Sequence, residues 1–120
     1  MRTIAVVGLS PKPERASHDV ARYLLSQGYK IIPVNPVQEE ILGLKCYPNL
    51  SAIPEPVDLV DVFRRPEHCP PIAKEAVTIG AKALWLQLGI ANDDAARLAS
   101  DGGLLVVMDR CIKIEHAQRR

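Results

Sequence analysis

The sequence predicts an open, doubly wound α/β domain in three layers, with a mainly parallel five-stranded sheet between two layers of helices. Three observations lead to this prediction. Short, nearly all-apolar runs alternate along the chain with segments of helical periodicity. Strands that are apolar on both faces are typical of a parallel sheet covered on both sides. Right-handed crossovers then place the connecting helices on the two faces of that sheet.

Length and composition narrow the class of protein. At 120 residues the chain is long enough to bury one core, and we expect a single domain over 1–120. With 15 basic and 14 acidic residues the net charge is +1, which argues against nucleic-acid or membrane-surface binding. No apolar run approaches the roughly 20 residues of a membrane span, and the N-terminus lacks signal-peptide features. We expect a cytoplasmic protein, and the three cysteines, too far apart for a metal knuckle, suit reducing conditions.

The chain opens with a strand and a helix. Residues 3–8 are an apolar run that stops at a glycine, and residues 17–27 carry apolar side chains at helical spacing. We expect Ser17 to be the N-cap of this helix and Gly28 to end it. A second apolar run predicts a strand over about 29–34.

Prolines and polar residues mark the later boundaries. Pro33 and Pro36 are expected to end the second strand, and Pro70 and Pro71 fit a helix only in its first turn. Asn92 is expected to cap a later helix. The remaining predicted elements are an extended piece over 44–50, strands over 57–63, 81–87 and 104–109, helices over 67–79 and 92–100, and a short helix in the tail.

Ligands of such a sheet bind outside the carboxyl ends of the strands, where the strand order reverses. Five segments therefore carry the candidate site: 8–17, 33–37, 63–67, 87–92 and 109–112. The first combines a glycine, which lets a ligand approach the backbone, with the anion-favouring start of a helix. Its glycine, cations and hydroxyl groups predict a phosphate site made by Gly8, Ser10, Lys12, Arg15 and Ser17. A stiff proline loop with solvated charges is the alternative.

The second and third segments differ from a nicotinamide-binding unit. Such a unit usually has Asp or Glu after its second strand, whereas this chain has Pro33, Asn35 and Pro36. Rigid apolar ends suit packing against an adenine ring, although they also suit a simple strand end. Arg64 and Arg65 follow the third strand directly, and such a pair is either a second anion site or a solvated edge.

The last two segments hold candidates of other kinds. Gly89 permits close approach of a ligand to the backbone, and Gln87 and Asn92 are neutral hydrogen-bonding residues. Cys111 is a candidate nucleophile, but no partner base is identified for it. No pair of carboxylates has a spacing that requires acid–base catalysis. The three histidines are expected to be solvated: His18, His68 and His116. The residues therefore predict no catalytic group.

Five segments resemble one protein family, and the resemblance covers essentially the whole chain. They are AVVGLSPKPERAS, GYKIIPVNP, VDLVDVFRRPE, WLQLGI and VVMDRCIKIEH. The chain is similar to the small stand-alone CoA-binding domain proteins, often called the YccU-like group. It also resembles the N-terminal CoA-binding domain of the succinyl-CoA synthetase α subunit and of NDP-forming acyl-CoA synthetases. The resemblance implies a Rossmann-like, nucleotide-binding domain whose ligand is coenzyme A or an acyl-CoA.

The resemblance also implies where each part of coenzyme A binds. The residues that hold its phosphates would be Gly8, Ser10, Lys12, Arg15 and Ser17. The adenosine would lie along Pro33, Asn35 and Pro36. The residues at the next strand end would be Phe63, Arg64 and Arg65. Those toward the pantetheine arm would be Gln87, Gly89 and Ile90.

The synthetases carry their phosphorylated histidine and nucleotide machinery in further domains, of which this sequence shows no counterpart. We therefore expect binding of CoA or an acyl-CoA without catalysis, and no metal, nucleic-acid or membrane partner. Three alternatives remain. The first is an NAD(P)-binding oxidoreductase or redox-sensor domain. The second is a CoA-binding subunit of a larger synthetase with a separate catalytic subunit. The third is a thioester-processing enzyme that uses Cys111. Cys111 matches a cysteine in the corresponding segment of the synthetases.

Overall fold

A computed structural model describes residues 2–118 of the chain. Its strands are β1 (Thr3–Val7), β2 (Lys30–Val34), β3 (Glu40–Ile41), β4 (Leu44–Lys45), β5 (Leu59–Val62), β6 (Ala83–Leu86) and β7 (Leu105–Val107). Its α-helices are α1 (Ala16–Ser26), α2 (Cys69–Thr78), α3 (Asp93–Asp101) and α4 (Ile112–Gln118). None of these helices is long and apolar enough to cross a membrane.

The main sheet has five strands in the order β2-β1-β5-β6-β7, and every pair in it is parallel. This confirms the predicted α/β, Rossmann-like fold. The chain first adds β2 on one side of β1 and then adds the later strands on the other side. The strand order therefore reverses between β1 and β5, and a ligand is expected beyond the carboxyl ends of these two strands.

The two faces of the sheet bury separate apolar clusters. On one face, alanines of α2 and α3 pack against β5 and β6 through Ala73, Ala76, Ala95, Ala99, Val60, Val62, Leu84 and Leu86. On the other face, α1 and α4 pack on β1 and β5 through Val20, Ala21, Leu24, Ile112, Ile4, Val6 and Leu59. Side chains that alternate between these clusters along the strands explain why the strands are mostly apolar, although β5 also contains Asp61.

Several predicted boundaries are confirmed by the backbone hydrogen bonds. Gly28 has φ +89° and follows the end of α1, where the Tyr29 N–H donates to Leu24 O at 3.2 Å. The glycine therefore ends the helix in the left-handed conformation that favours it. Asn92 caps α3, since its Oδ1 accepts the Ala95 N–H at 2.8 Å.

Two features of the first half differ from expectation. Pro33 lies inside β2 rather than ending it, and its carbonyl accepts the Tyr47 N–H at 3.0 Å. Proline is tolerated there because β2 is an edge strand, so the missing N–H faces away from β1. The β3–β4 hairpin was not predicted. Its turn places Leu42 and Gly43 at φ +56° and +72°. Because a leucine stands where asparagine, aspartate or glycine is usual, the sequence does not indicate this turn.

Candidate functional site

The loops after β1 and β5 meet in one cavity of about 460 Å³ at the point where the strand order reverses. Nine of the fourteen predicted site residues line this cavity: Gly8, Ser10, Lys12, Arg15, Ser17, Phe63, Arg64, Arg65 and Ile90. Two more, Asn35 and Pro36, line an adjoining cavity of about 290 Å³. Gly8, Ser10, Phe63 and Arg64 line both cavities. The sheet topology therefore brings residues of four of the five predicted strand ends together.

Gly8 is the residue at which the two loops touch. It has φ +85°, and its N–H donates to Val34 O at 3.0 Å. A Cβ atom at this position would collide with the carbonyl oxygen of Phe63 and crowd the side chain of Arg64. Glycine is therefore required for the fit between the loops after β1 and β5, in addition to any approach of a ligand.

We expect Gly8→Ala to lower the free energy of unfolding by about 1–3 kcal/mol for the backbone strain alone, with a further loss from the collision. Gly28→Ala is the matched control, because Gly28 has a similar φ and nothing within 4 Å of its added Cβ. Urea unfolding of both variants measures the difference. Equal losses would contradict a close approach of the Phe63 carbonyl.

Hydrogen bonds within the first loop fix its shape. The Ser10 N–H donates to Ser17 Oγ at 2.9 Å, and the Lys12 N–H donates to Ser10 Oγ at 3.1 Å. His18 Nδ1–H donates to Ser10 O at 2.9 Å. The expectation that His18 is solvated is wrong, since only 7% of it is exposed. Hydrogen bonds with Lys12, Ser17 and His18 thus fix the position of Ser10.

The start of α1 differs from the sequence prediction. Ser17 is not the N-cap, because the helix begins at Ala16 and Arg15 occupies the cap position. The Arg15 side chain makes no capping hydrogen bond, while the Ser17 hydroxyl accepts the N–H of Ser10 instead. The first N–H groups of α1 consequently have no side-chain cap, and Ala16 and Ser17 line the cavity. Such a helix start attracts anions.

Four cations face this helix start. Lys12 and Arg15 come from the loop after β1, and Arg64 and Arg65 from the loop after β5. None of the four forms an ion pair with a carboxylate of residues 2–118. Unpaired basic side chains at a helix N-terminus produce a positive potential that suits a ligand with more than one anionic group.

Asn35 shapes the adjoining cavity, but its side-chain amide is occupied by hydrogen bonds within the protein. Asn35 Nδ2 donates to Leu9 O at 3.0 Å, and Oδ1 accepts the N–H groups of Val37 and Gln38 at 2.8 and 3.1 Å. The residue thus ties the loop after β2 to the loop after β1. Pro36 and the 80% exposed Val37 form an apolar surface there, whereas Pro33 is buried within β2.

The end of β6 contributes mainly Ile90. Gln87 is 3% exposed, and its Oε1 accepts the Ile112 N–H at 3.1 Å, so its side chain positions the start of α4. The Gly89 N–H donates to Asp109 Oδ1 at 2.6 Å, and the Asp109 N–H donates to Ile90 O. Gln87 and Gly89 do not line the cavity; they support the segment that places Ile90 there.

Asp61 is a buried charge-bearing residue whose environment the sequence did not reveal. It lies in the middle of β5 between Val6 and Trp85, is fully buried, and neither carboxylate oxygen has a hydrogen-bond partner among residues 2–118. Burial raises the pKa of this carboxyl well above its usual value. An aspartate inside an otherwise apolar strand was the available signal.

Residues 2–118 contain no cluster of three or more His, Cys, Asp or Glu side chains that could hold a metal. Cys111 is half-buried against the cluster under α1 and α4. The other two cysteines are buried, and burial raises the pKa of both thiols. His116 is bound to Tyr23, with 2.7 Å between Nδ1 and the phenol oxygen, rather than being free in solvent.

The family model for the CoA binding domain matches residues 2–117. The chain belongs to this family. It is 45% identical over 116 residues to an uncharacterized protein, YneT, of Bacillus subtilis, covering 97% of this chain and 86% of that protein. It superposes on a hypothetical protein from Pyrococcus horikoshii with a TM-score of 0.94 at 43% identity, covering 96% of this chain and 81% of that one.

The chain is also similar to part of much larger enzymes. It is 32% identical over 121 aligned residues to acetate–CoA ligase (ADP-forming) I of Archaeoglobus fulgidus. The match covers 92% of this chain and only 18% of the ligase. The resemblance to the CoA-binding region of NDP-forming acyl-CoA synthetases, expected from the sequence, is thereby confirmed.

Proposed function

We propose that the protein binds coenzyme A or an acyl-CoA at the carboxyl ends of β1 and β5 and has no catalytic activity of its own. One observation carries this proposal. Four cations from two loops, none paired with a carboxylate of residues 2–118, converge on a single cavity at the start of α1, which has no side-chain cap. Membership of the CoA binding domain family supports coenzyme A as the ligand of this cavity.

The charges of the site match those of the ligand. Coenzyme A carries a diphosphate and a separate 3′-phosphate, so it needs cations at two places. In our proposal the diphosphate lies over the start of α1, with Lys12 and Arg15, and Arg64 reaches the 3′-phosphate. The adenine ring then packs on the apolar surface of Pro36 and Val37, beside the loop that Asn35 fixes.

The composition of the cavity favours binding over chemistry. Its polar side chains are hydroxyls, one lysine and three arginines, and Ser17 is occupied by the N–H of Ser10. A nucleophile would need a neighbouring base, and the lining contains no histidine or carboxylate to act as one. A separate chain that performs the chemistry, as in a larger synthetase, is compatible with this proposal.

Isothermal titration calorimetry with CoA, dephospho-CoA, NAD and NADP tests the ligand. We expect CoA to bind most tightly and dephospho-CoA about tenfold more weakly, because one charge-assisted contact is lost. Binding of NAD or NADP without binding of CoA at millimolar concentration would contradict the proposal. It would favour an oxidoreductase or redox-sensor domain instead.

The two arginines after β5 are expected to differ. Arg64 lines both adjoining cavities, whereas Arg65 lines only the larger of the two. We therefore expect Arg64→Ala to weaken CoA by about tenfold or more and Arg65→Ala by less. Calorimetry with CoA and dephospho-CoA on both variants measures this. If Arg64→Ala kept the full preference for CoA over dephospho-CoA, Arg64 would not contact the 3′-phosphate.

A further inference from the structure

A second, apolar groove lies on the sheet face that α1 and α4 share. Its volume is about 580 Å³. The apolar lining consists of Ile4, Leu24, Leu59, Trp85, Val107 and Ile112. The lining also includes Tyr29, Arg110, Glu115 and His116, and the last three have polar partners. Arg110 lies 3.9 Å from the Glu115 carboxylate, and His116 is hydrogen-bonded to Tyr23. The groove therefore offers apolar surface rather than a charged contact, and its volume falls in the range of sites for small molecules.

The groove and the candidate CoA cavity have no lining residue in common, but two hydrogen-bonded segments join their rims. Ile90 lines the CoA cavity, and its carbonyl accepts the N–H of Asp109 at 3.1 Å. The next residue, Arg110, lines the groove, and its carbonyl accepts the indole N–H of Trp85 at 2.7 Å. A ligand that follows the carboxyl ends of the strands from β1 toward β7 thus arrives at the rim of the groove.

The pantetheine arm of CoA has the length for this path. About twelve bonds separate its phosphate oxygen from its sulfur, equivalent to roughly four residues of extended chain, or about 14 Å. The ends of β1 and β7 are three strand spacings apart, which is also about 14 Å. A diphosphate held at the start of α1 would therefore allow the sulfur to reach Asp109 and Arg110.

We propose that this groove holds the hydrocarbon of a medium- or long-chain acyl-CoA. The protein then binds such acyl-CoA thioesters more tightly than free CoA and acetyl-CoA. This inference rests on the proposed CoA site. The thioester lies at the carboxyl end of β7, and the hydrocarbon turns down over Val107 and Trp85 toward Leu59 and Ile4. An acetyl group is too short to enter, so its affinity resembles that of CoA.

The size of the effect follows from the transfer of hydrocarbon out of water. Each methylene that is fully buried strengthens binding by roughly fourfold, and partial burial in an open groove gives less. We therefore expect octanoyl-CoA to bind at least about tenfold more tightly than acetyl-CoA. Affinity should rise through butyryl-CoA and hexanoyl-CoA, because successive methylenes reach further into the same groove.

The fluorescence of Trp85 reports on whether the groove is occupied, since Trp85 is the sole tryptophan of the chain and lines this cavity. Titration of the intact chain with CoA, acetyl-CoA and octanoyl-CoA, each kept below its aggregation concentration, gives affinity and Trp85 emission together. We expect the emission to change with octanoyl-CoA and to change little with CoA or acetyl-CoA.

Two residues of β7 provide a matched pair of variants. Val107 lines the groove, while Leu105 lies on the same face of the strand, is 68% exposed and does not line it. Val107→Asp should remove the gain from the octanoyl chain, and Leu105→Asp should keep it. Val107→Phe, which fills the groove without adding charge, should also remove the gain. Circular dichroism melting checks that each variant is folded.

The outcomes separate the two proposals. If CoA and every acyl-CoA fail to bind, the proposed CoA site is wrong. If CoA binds and octanoyl-CoA binds no more tightly, with unchanged Trp85 emission, the acyl groove is wrong while the CoA site stands. Sedimentation velocity adds a further test. A dimer that Val107→Asp dissociates, together with no gain from the octanoyl chain, would show that a second copy covers the groove and would overturn this inference.

Discussion

The double variant Lys12→Ala/Arg15→Ala is expected to bind CoA about 100-fold more weakly than the unaltered chain. Each lost contact between a cation and a phosphate weakens binding by roughly 1.5–3 kcal/mol when the partner charge is held in place. Both side chains are free of carboxylate partners within residues 2–118, so their removal leaves no uncompensated charge behind. Calorimetry at constant ionic strength measures the loss.

A control must remove the same total charge elsewhere. Lys74 and Arg97 lie on α2 and α3, which cover the opposite face of the sheet from α1. Lys74→Ala/Arg97→Ala lowers the net charge equally, and we expect its CoA affinity to remain within about threefold of the starting value, since distant charges are screened. Similar losses in both double variants would mean that general charge, and not the loop after β1, attracts the ligand.

The Asp61→Asn variant is expected to change how stability depends on pH. Burial raises the pKa of Asp61 in the folded state, so the carboxyl keeps its proton to a higher pH there than in the unfolded chain. Its contribution to stability is complete below its unfolded pKa, near 3.8, and is lost as pH rises through the folded pKa. The free energy of unfolding should fall by up to about 1.4 kcal/mol per pH unit within that window, and the asparagine variant should lack this fall.

Urea unfolding between about pH 2 and pH 9 measures this dependence for both chains. Asp58→Asn is a control of opposite sign. Hydrogen bonds from the N–H groups of Thr3 and Arg2 lower the pKa of Asp58, so its contribution is present above its unfolded pKa and is lost on acidification. Parallel stability curves for Asp61→Asn and the unaltered chain would show that Asp61 is ionised in the folded protein or has found a partner.

The elements of the fold were predictable where the local sequence pattern matches the burial and backbone conformation of the residues in the structure. Apolar runs predicted the five strands of the main sheet, because all of them except β7 are largely buried on both faces. Gly28 and Asn92 marked helix boundaries by their own conformational preferences. The β3–β4 hairpin could not be predicted in this way. Its strands have two residues each, and its turn uses Leu42 at a positive φ instead of the usual asparagine or glycine.

The location of the candidate site was predictable for a different reason. The rule that ligands lie at the carboxyl ends of parallel strands depends on topology alone, and the strand pattern supplied the topology. The hydrogen-bond partners of single side chains were not predictable. Asn35 is bonded to Leu9, 26 residues away, and Gln87 to Ile112, 25 residues away. Such contacts depend on how loops meet in three dimensions, which neither composition nor spacing encodes.

Amide chemical-shift mapping of the labelled protein during titration with CoA tests the central claim most directly. The claim predicts the largest shifts at Gly8, Ser10 and the first residues of α1, with a second group at Arg64 and Arg65. Amides at the C-terminal ends of α2 and α3, which lie on the opposite face of the sheet from α1, should change little. Saturable binding of CoA that leaves residues 8–17 unshifted, or that shifts only residues far from the ends of β1 and β5, would contradict the account.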